Sequence, residues 1–231
     1  MAGEQAKEGV AAMKVIVTGA TGMVGEGVML ECVENPAVSE ILLVSRKAYG
    51  VLPSKVRELI VPDFMQVESA AGQLGGYDAC FFCAGVSSVG KSEAEYARLT
   101  YDLTLHFAQT LVKVNPGMVF VYVSGAETDS TEKGGTMWAR VKGRTENALT
   151  RVGFRAGYNF RPGFMKPMPG QKNLPGWYGW IGWMYPMLRV VTPNYVSTLE
   201  DVGRAMIRCA AEGYPKTVLE VRDINGAGSR E

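Results

Sequence analysis

Lys14-Val15-Ile16-Val17-Thr18-Gly19-Ala20-Thr21-Gly22-Met23-Val24-Gly25 is the stretch on which the fold turns. Apolar residues run into a turn marked by three glycines, and a helical pattern opens at Met23 and continues to about Glu34. The reading is strand, tight turn, helix. Glycine at 19 lets the chain turn sharply off the strand, glycine at 22 removes a Cβ where an anion would approach, and Gly25 lets helix and strand pack closely. The helix start then offers free backbone N–H groups and the positive end of a dipole to a diphosphate, held by Gly19, Thr21, Gly22, Met23 and Val24. The spacing is G-x-x-G-x-x-G, where the general dinucleotide fingerprint is G-x-G-x-x-G. Tight strand–helix packing alone can produce such a triplet. Its place at the first strand of an alternating chain is what gives it weight.

Outward from this unit, strands are expected at Glu40–Ser45, Val56–Val61, Tyr77–Cys83, Met118–Ser124, Ala156–Arg161 and Thr217–Val221. Between them lie a weak helical stretch at Glu68–Leu74 and a long helix capped by Ser92, with Tyr96, Leu99, Leu103, Phe107 and Leu111 on its apolar face, ending near Asn115-Pro116-Gly117. A further helix spans Thr136–Val152, and a last one, capped by Thr198 with Asp201 three residues on, reaches Glu212. Strands alternating with helices at this spacing predict an α/β fold, a doubly wound parallel sheet of about seven strands with helices on both faces. Residues 1–12 read as a flexible tail, and 13–231 as a single domain with a small substrate or lid segment at 164–197.

The chain has 231 residues, 47% hydrophobic and 20% charged, with a net charge of +1. That composition is globular, and no basic run points to nucleic acid. The tail carries no apolar stretch of signal-peptide length. Cys80-Phe-Phe-Cys83 resembles a redox or metal pair, but in a strand these positions face opposite sides and no second pair exists. Together with Cys32 and Cys209 they read as buried thiols, no metal is expected, and the compartment is a reducing cytoplasm. The lone His106 reads as a packing or surface residue.

In a parallel sheet ligands sit beyond the carboxyl ends of the strands, at the point where strand order reverses. After the second strand come Arg46 and Lys47, cations that suit a 2′-phosphate and so favour NADP over NAD; an ordinary solvated turn is the alternative. After the third stand Asp63, placed for an adenine amino group, and Phe64, placed for the ring face; a plain turn aspartate reads almost as well. The fourth ends in Ala84-Gly85-Val86, small enough for a dinucleotide to lie on the backbone. The fifth ends in Ser124-Gly125-Ala126, and the next helix carries Trp138-Ala139-Arg140-Val141-Lys142.

The set TGATGMVG, Ser124, Lys142 and Arg161-Pro162-Gly163 resembles the short-chain dehydrogenase/reductase superfamily in its atypical, epimerase-like branch. RVKGRTEN followed by RPGF is most similar to the Tat-interacting, oxidoreductase-like tumour-suppressor group of that branch. The likeness runs from Lys14 to about Ile224. It implies an NAD(P)-binding Rossmann fold with NADP(H) across the sheet, and Arg161, Pro162 and Gly163 beside the cofactor. It also implies that Ser124 orients a substrate oxygen, while Lys142 binds the nicotinamide ribose and lowers the pKa of a tyrosine one turn earlier. That position is Trp138. An indole N–H donates but does not ionise usefully, so Trp138 can orient an oxygen and cannot carry its proton. Thr128, Asp129, Tyr158, Tyr101 and Asp102 are the other polar candidates, and Trp138 also reads as an aromatic that closes the pocket.

Trp177, Tyr178, Trp180, Trp183 and Tyr185 crowd one short stretch. A lid or homodimer surface is the first reading, an apolar substrate cleft the second, and membrane contact through 174–191 the third. Sugar-nucleotide epimerases of the superfamily usually carry a larger C-terminal lobe. The expected function is therefore an NADP(H)-binding oxidoreductase acting on a small apolar carbonyl or alcohol. The alternative is an NADP(H)-binding regulatory or interaction protein without turnover.

Overall fold

The computed structural model describes residues 12–229 apart from 175, 177–184 and 193, with backbone alone at 186, 189 and 190. The N-terminal tail up to residue 11 and most of the aromatic stretch lie outside the described residues.

Strand β1 (Met13–Thr18) is covered on both faces, which explains its unbroken apolar run. Gly19, at a φ of 74°, turns the chain into helix α1 (Met23–Glu34). Then follow β2 (Val38–Ser45), β3 (Val56–Ile60), a 3-10 helix at Phe64–Gln73, and β4 (Ala79–Phe82). The long helix is α2 (Glu93–Ala97), a π turn at Arg98–Asp102, and α3 (Leu103–Val114). Ser92 caps α2 as expected, accepting from the Glu95 amide. Next come β5 (Val119–Val123), α4 (Met137–Leu149) and β6 (Ala156–Arg161). The strand order β3-β2-β1-β4-β5-β6, continued at the β6 edge by the short strand Val218–Glu220 and all parallel, confirms the Rossmann-like doubly wound sheet and puts the reversal between β1 and β4.

Each strand feeds two cores by alternation. Val15, Val17, Phe81 and Val121 meet α1 and the helix bearing Val202 and Met206, while Ile16, Phe82 and Phe120 meet Phe64, Phe107 and Leu111. Cys80 belongs to the second core and Cys83 packs on the first, so the two thiols do face opposite sides. All four cysteines are free.

Beyond β6 the chain departs from expectation. Strands β7 (Phe164–Lys166) and β8 (Val196–Thr198) pair in a separate parallel two-stranded sheet, with α5 (Tyr185–Val191) between them in sequence. Thr198 caps α6 (Leu199–Ala211) by accepting from the Asp201 amide, while the Asp201 carboxylate pairs with Arg204 at 2.6 Å. This helix is not the last. Strand β9 is only Val218–Glu220, and Val221 opens α7 (Val221–Gly228) through a capping box between Glu220 and Asp223. Among the described residues no helix is long and apolar enough to cross a membrane.

Candidate functional site

At the reversal point the carboxyl ends of β1, β2, β4 and β5 open onto a cavity of about 540 Å³. It is bounded at one end by Ser45, Arg46 and Phe64, in the middle by Gly19, Thr21, Gly22, Met23, Val24, Ala84, Gly85 and Val86, and at the other end by Ser124 and Lys142. Leu99, Leu103, Pro162 and Met165 give this last end apolar walls.

Packing requires the glycine turn. A Cβ on Gly19 would lie 2.7 Å from the Cys83 carbonyl, and one on Gly25 would lie 2.3 Å from Gly19 itself. Gly22 is the N-cap of α1 and has no capping side chain. The first intrahelical bond runs from the Glu26 amide to the Gly22 carbonyl and the Gly22 amide is taken by the Gly19 carbonyl, which leaves the Met23, Val24 and Gly25 amides without an intrahelical acceptor at this end. Sequence reasoning overlooked Glu26. Its carboxylate is buried and accepts from the Tyr49 hydroxyl (2.9 Å) and from the Lys172 (3.1 Å) and Asn173 (2.7 Å) amides. Gln171 adds a bond to the Met23 carbonyl at 2.8 Å. The segment after β7 is thereby tied across the start of α1. Burial and Glu26 together push the Tyr49 phenol up to about 12.

At the β2 end Arg46 lines the cavity, whereas Lys47 is exposed beside it, and neither makes an ion pair among the described residues. Ser45 is a second feature hidden from the sequence. Its hydroxyl is buried without a hydrogen-bond partner among the described residues. Phe64 is buried against Phe107, with ring centroids 5.1 Å apart. Asp63 does not line the cavity; it caps the 3-10 helix by accepting from the Met65 amide.

At the β5 end helix α4 brings Lys142 over the strand. Its ammonium donates to the Ser124 carbonyl at 2.6 Å and reaches the Val123 carbonyl at 3.4 Å, 5.9 Å from the Tyr122 ring centre. Burial lowers the lysine to about 8, against an opposing pull from Glu146. Trp138, one turn earlier, is half-buried against Gly125, where an added Cβ would stand 3.8 Å from the ring, and it is not among the cavity's lining residues. Glu146, one turn later and 2% exposed, was missed by sequence reasoning, although its spacing from Lys142 puts both on one helix face. It accepts from the Ser124 hydroxyl at 2.5 Å.

Arg161 does not face the cavity. Its guanidinium is taken up by Glu146 (3.0 and 2.5 Å), Glu220 (3.0 Å) and the Ser130 hydroxyl (2.5 Å). Gly163 also stands away from it, close-packed on Tyr195, while Pro162 lines the wall. The alternative proton carriers lie elsewhere. Thr128 donates to the Gly125 carbonyl, Asp129 accepts from Thr131 and Gly134, the Tyr158 hydroxyl accepts from the Tyr214 amide, Tyr101 lies under Arg144, and Asp102 is exposed. His106 contacts Glu68 at 2.7 Å at the surface, and no metal cluster occurs among the described residues.

The sequence profile of the NAD dependent epimerase/dehydratase family matches residues 15–135. The chain is 28% identical over 158 residues to the protein fmp52, mitochondrial, of Emericella nidulans; the match takes in 65% of this chain and 66% of that relative's length. In three dimensions it is similar to a short chain dehydrogenase from Burkholderia cenocepacia in complex with NADP (TM-score 0.65, 14% identity, 94% of this chain and 92% of that one). It is also similar to the enzyme WbmF of Bordetella bronchiseptica in complex with NAD+ (TM-score 0.64, 16% identity, 94% and 77%).

Proposed function

As the chain belongs to the NAD dependent epimerase/dehydratase family, we propose that it is an NADP(H)-dependent oxidoreductase of the atypical short-chain dehydrogenase/reductase kind, acting on a small apolar carbonyl or alcohol. The observation that carries this reading is the continuity of one cavity from Ser45 and Arg46, past an uncapped helix N-terminus, to Ser124 and Lys142. The residues present suit such a cofactor: a glycine cradle with no side chains, helix-start amides free to meet a diphosphate, and an arginine and a buried hydroxyl at the adenosine end without partners among the described residues. When bound, a nicotinamide supplies or accepts hydride.

This chain's residues do the rest. Arg46, with Ser45 beneath it, holds a ribose 2′-phosphate, and Phe64 lines the adenine side. Lys142 turns its one free donor position to the nicotinamide end, and Ser124 sets a lone pair beside it for the substrate oxygen. Leu99, Leu103 and Met165 exclude water from an apolar substrate. A small reducible substrate suits the short segment 164–197 better than a sugar nucleotide does. Free thiols suit a reducing compartment, for which we retain the cytoplasm.

Calorimetry with NADPH and NADH, followed by NADPH oxidation against a panel of carbonyls, tests the reading. Binding with NADPH preferred, and turnover on at least one apolar carbonyl, is the expected result. No binding of either nucleotide refutes it. Trp138 at the tyrosine position favours a second reading, a nucleotide-binding regulatory protein; binding without turnover on the whole panel would select it.

A further inference from the structure

A carbonyl that gains hydride must also gain a proton, and Trp138 cannot supply one. The described cavity lining contains few groups that could. Arg46 never releases its proton in water, and it stands at the β2 end, three strands from β5. Thr21 and Ser45 also belong to the nucleotide end. The Cys83 thiol is pushed up to about 12 by burial. The Ser124 hydroxyl has one proton and two buried acceptors that draw it away from the cavity, the Glu146 carboxylate at 2.5 Å and the Phe160 carbonyl at 3.1 Å. Lys142 remains. Two of its three donor positions are taken up by the carbonyls of Ser124 and Val123, which fix the nitrogen at the cavity wall and leave the third for a ligand.

Resting on the oxidoreductase reading, we propose that Lys142 is itself the acid–base group of this chain, its ammonium protonating the oxygen of a carbonyl and its amine deprotonating the alcohol in reverse. In the reducing direction the carbonyl carbon gains a C–H bond with the hydride's electron pair, and the π pair moves onto oxygen. An O–H bond forms there as one N–H bond of Lys142 breaks, and the neutral amine regains a proton from solvent. The carbonyl is reduced, and the nicotinamide that supplied the hydride is oxidised.

The surroundings agree. Burial holds the lysine at about 8, so both protonation states are accessible near neutrality. The charged and titratable groups facing it are few. On its own helix Glu146 favours the ammonium, and Arg161 on β6 partly offsets that charge. From β5 come neutral carbonyls and the Tyr122 ring, whose phenol burial raises, and from the end of β4 comes the neutral Cys83 thiol. Reduction therefore requires the ammonium and declines as pH rises through about 8, while alcohol oxidation rises through the same midpoint.

The test begins without nucleotide. Amine acylation of the unliganded protein over a pH series, read at Lys142 by peptide mass spectrometry, should show a midpoint near 8, against about 10.4 for an ordinary lysine. Lys142→Arg keeps a cation and donors for both carbonyls but no exchangeable proton. It should still bind NADPH by fluorescence, yet lose the pH limb and about 10²–10⁴-fold in reduction rate. An ordinary lysine midpoint, or a limb and rate that survive Lys142→Arg, overturns the assignment. So does a limb that survives Lys142→Arg and disappears with Tyr178→Phe, which would give the role to a residue outside the described set. A wild-type protein that binds NADPH and reduces no carbonyl at any pH defeats the oxidoreductase reading, and the assignment with it.

Discussion

Arg161→Met should act on folding and leave the nucleotide site largely intact. The Arg161 side chain is 10% exposed and Glu146 2%, so the variant leaves a carboxylate in the core with the Ser124 hydroxyl as its remaining described hydrogen-bond partner and the Lys142 ammonium as the cation still facing it. Removing one member of a buried ion pair typically costs about 3–5 kcal/mol. The second pair, with a Glu220 that is 53% exposed, adds little. For a chain of this size the loss corresponds to a fall in Tm of about 6–20 °C. Glu146→Gln alone should cost less, about 1.5–3 kcal/mol, because Arg161 keeps Glu220 and Ser130. The double variant Glu146→Gln/Arg161→Met removes both charges, and most of the stability should return, giving a coupling of at least about 2 kcal/mol in a double-mutant cycle. Thermal and urea melts of the four proteins, with NADPH titrations on each, measure every term. A nearly unchanged melt for Arg161→Met with NADPH affinity weakened about tenfold or more would refute this, and would return the guanidinium to the cofactor.

Three further outcomes follow from the geometry. Gly143→Ala should lower stability by about 3 kcal/mol or more, or prevent folding, because its Cβ would lie 1.8 Å from the Asp129 carbonyl oxygen and neither backbone can move far; soluble yield and urea midpoint report it. Arg46→Ala should weaken NADPH by about 10–100-fold and leave NADH within about threefold, as expected for loss of charge-assisted bonds to one phosphate; calorimetry decides. The Asp129 carboxyl is held below its ordinary range first by the Thr131 hydroxyl and then by the Gly134 amide. Its folded pKa being depressed, it contributes order in full above the ordinary carboxylate pKa of about 4, and that order is lost as pH falls through the lowered value. Hydrogen exchange at Thr131 and Gly134, corrected for intrinsic rate, should accelerate at the acid end and stay flat near neutrality.

The β1–turn–α1 unit was legible because burial on both faces demands an unbroken apolar run and close packing demands Gly19 and Gly25. The second half was harder to read for reasons that are not local. Helix α7 contains Asn225, Gly226 and Gly228, poor helix formers; it exists because Glu220 and Asp223 cap it and because Gly228 packs 2.1 Å (as an added Cβ) from the Asp201 carbonyl while Arg204 holds its own carbonyl oxygen. Strands β7 and β8 are three residues each, too short for a period of two to declare itself. The π turn at Arg98–Asp102 keeps the same apolar residues as an α-helix would and shifts only their phase. In the site, strand-end position put Ser124 and Arg46 at the cavity and the family resemblance put Lys142 there, whereas Arg161, which the resemblance set beside the cofactor, is not part of the lining. The acids that occupy Arg161 come from α4 and from the edge strand β9, a meeting that only tertiary structure arranges.

Trp138, Lys142 and Glu146 recur every fourth residue of α4, so one helix face carries Lys142 at the cavity wall and a buried carboxylate one turn further on. Glu146 gives little net stability once desolvation is counted. What it does to Ser124 is more consequential. A carboxylate can only accept, so the proton between them belongs to Ser124 and points away from the cavity. Ser124 then meets a ligand through a lone pair. It can accept from an alcohol, but it cannot donate to a carbonyl, and the donor must come from Lys142. Ser124→Ala should accordingly slow carbonyl reduction by only about 2–10-fold, the worth of one neutral hydrogen bond, against about 10²–10⁴-fold for Lys142→Arg. The alcohol-oxidising direction should suffer more from Ser124→Ala than the reducing one. Steady-state rates in both directions at pH values on either side of the Lys142 midpoint decide it. Equal losses for the two variants in reduction would mean that Ser124 donates after all, and that Glu146 holds a proton of its own.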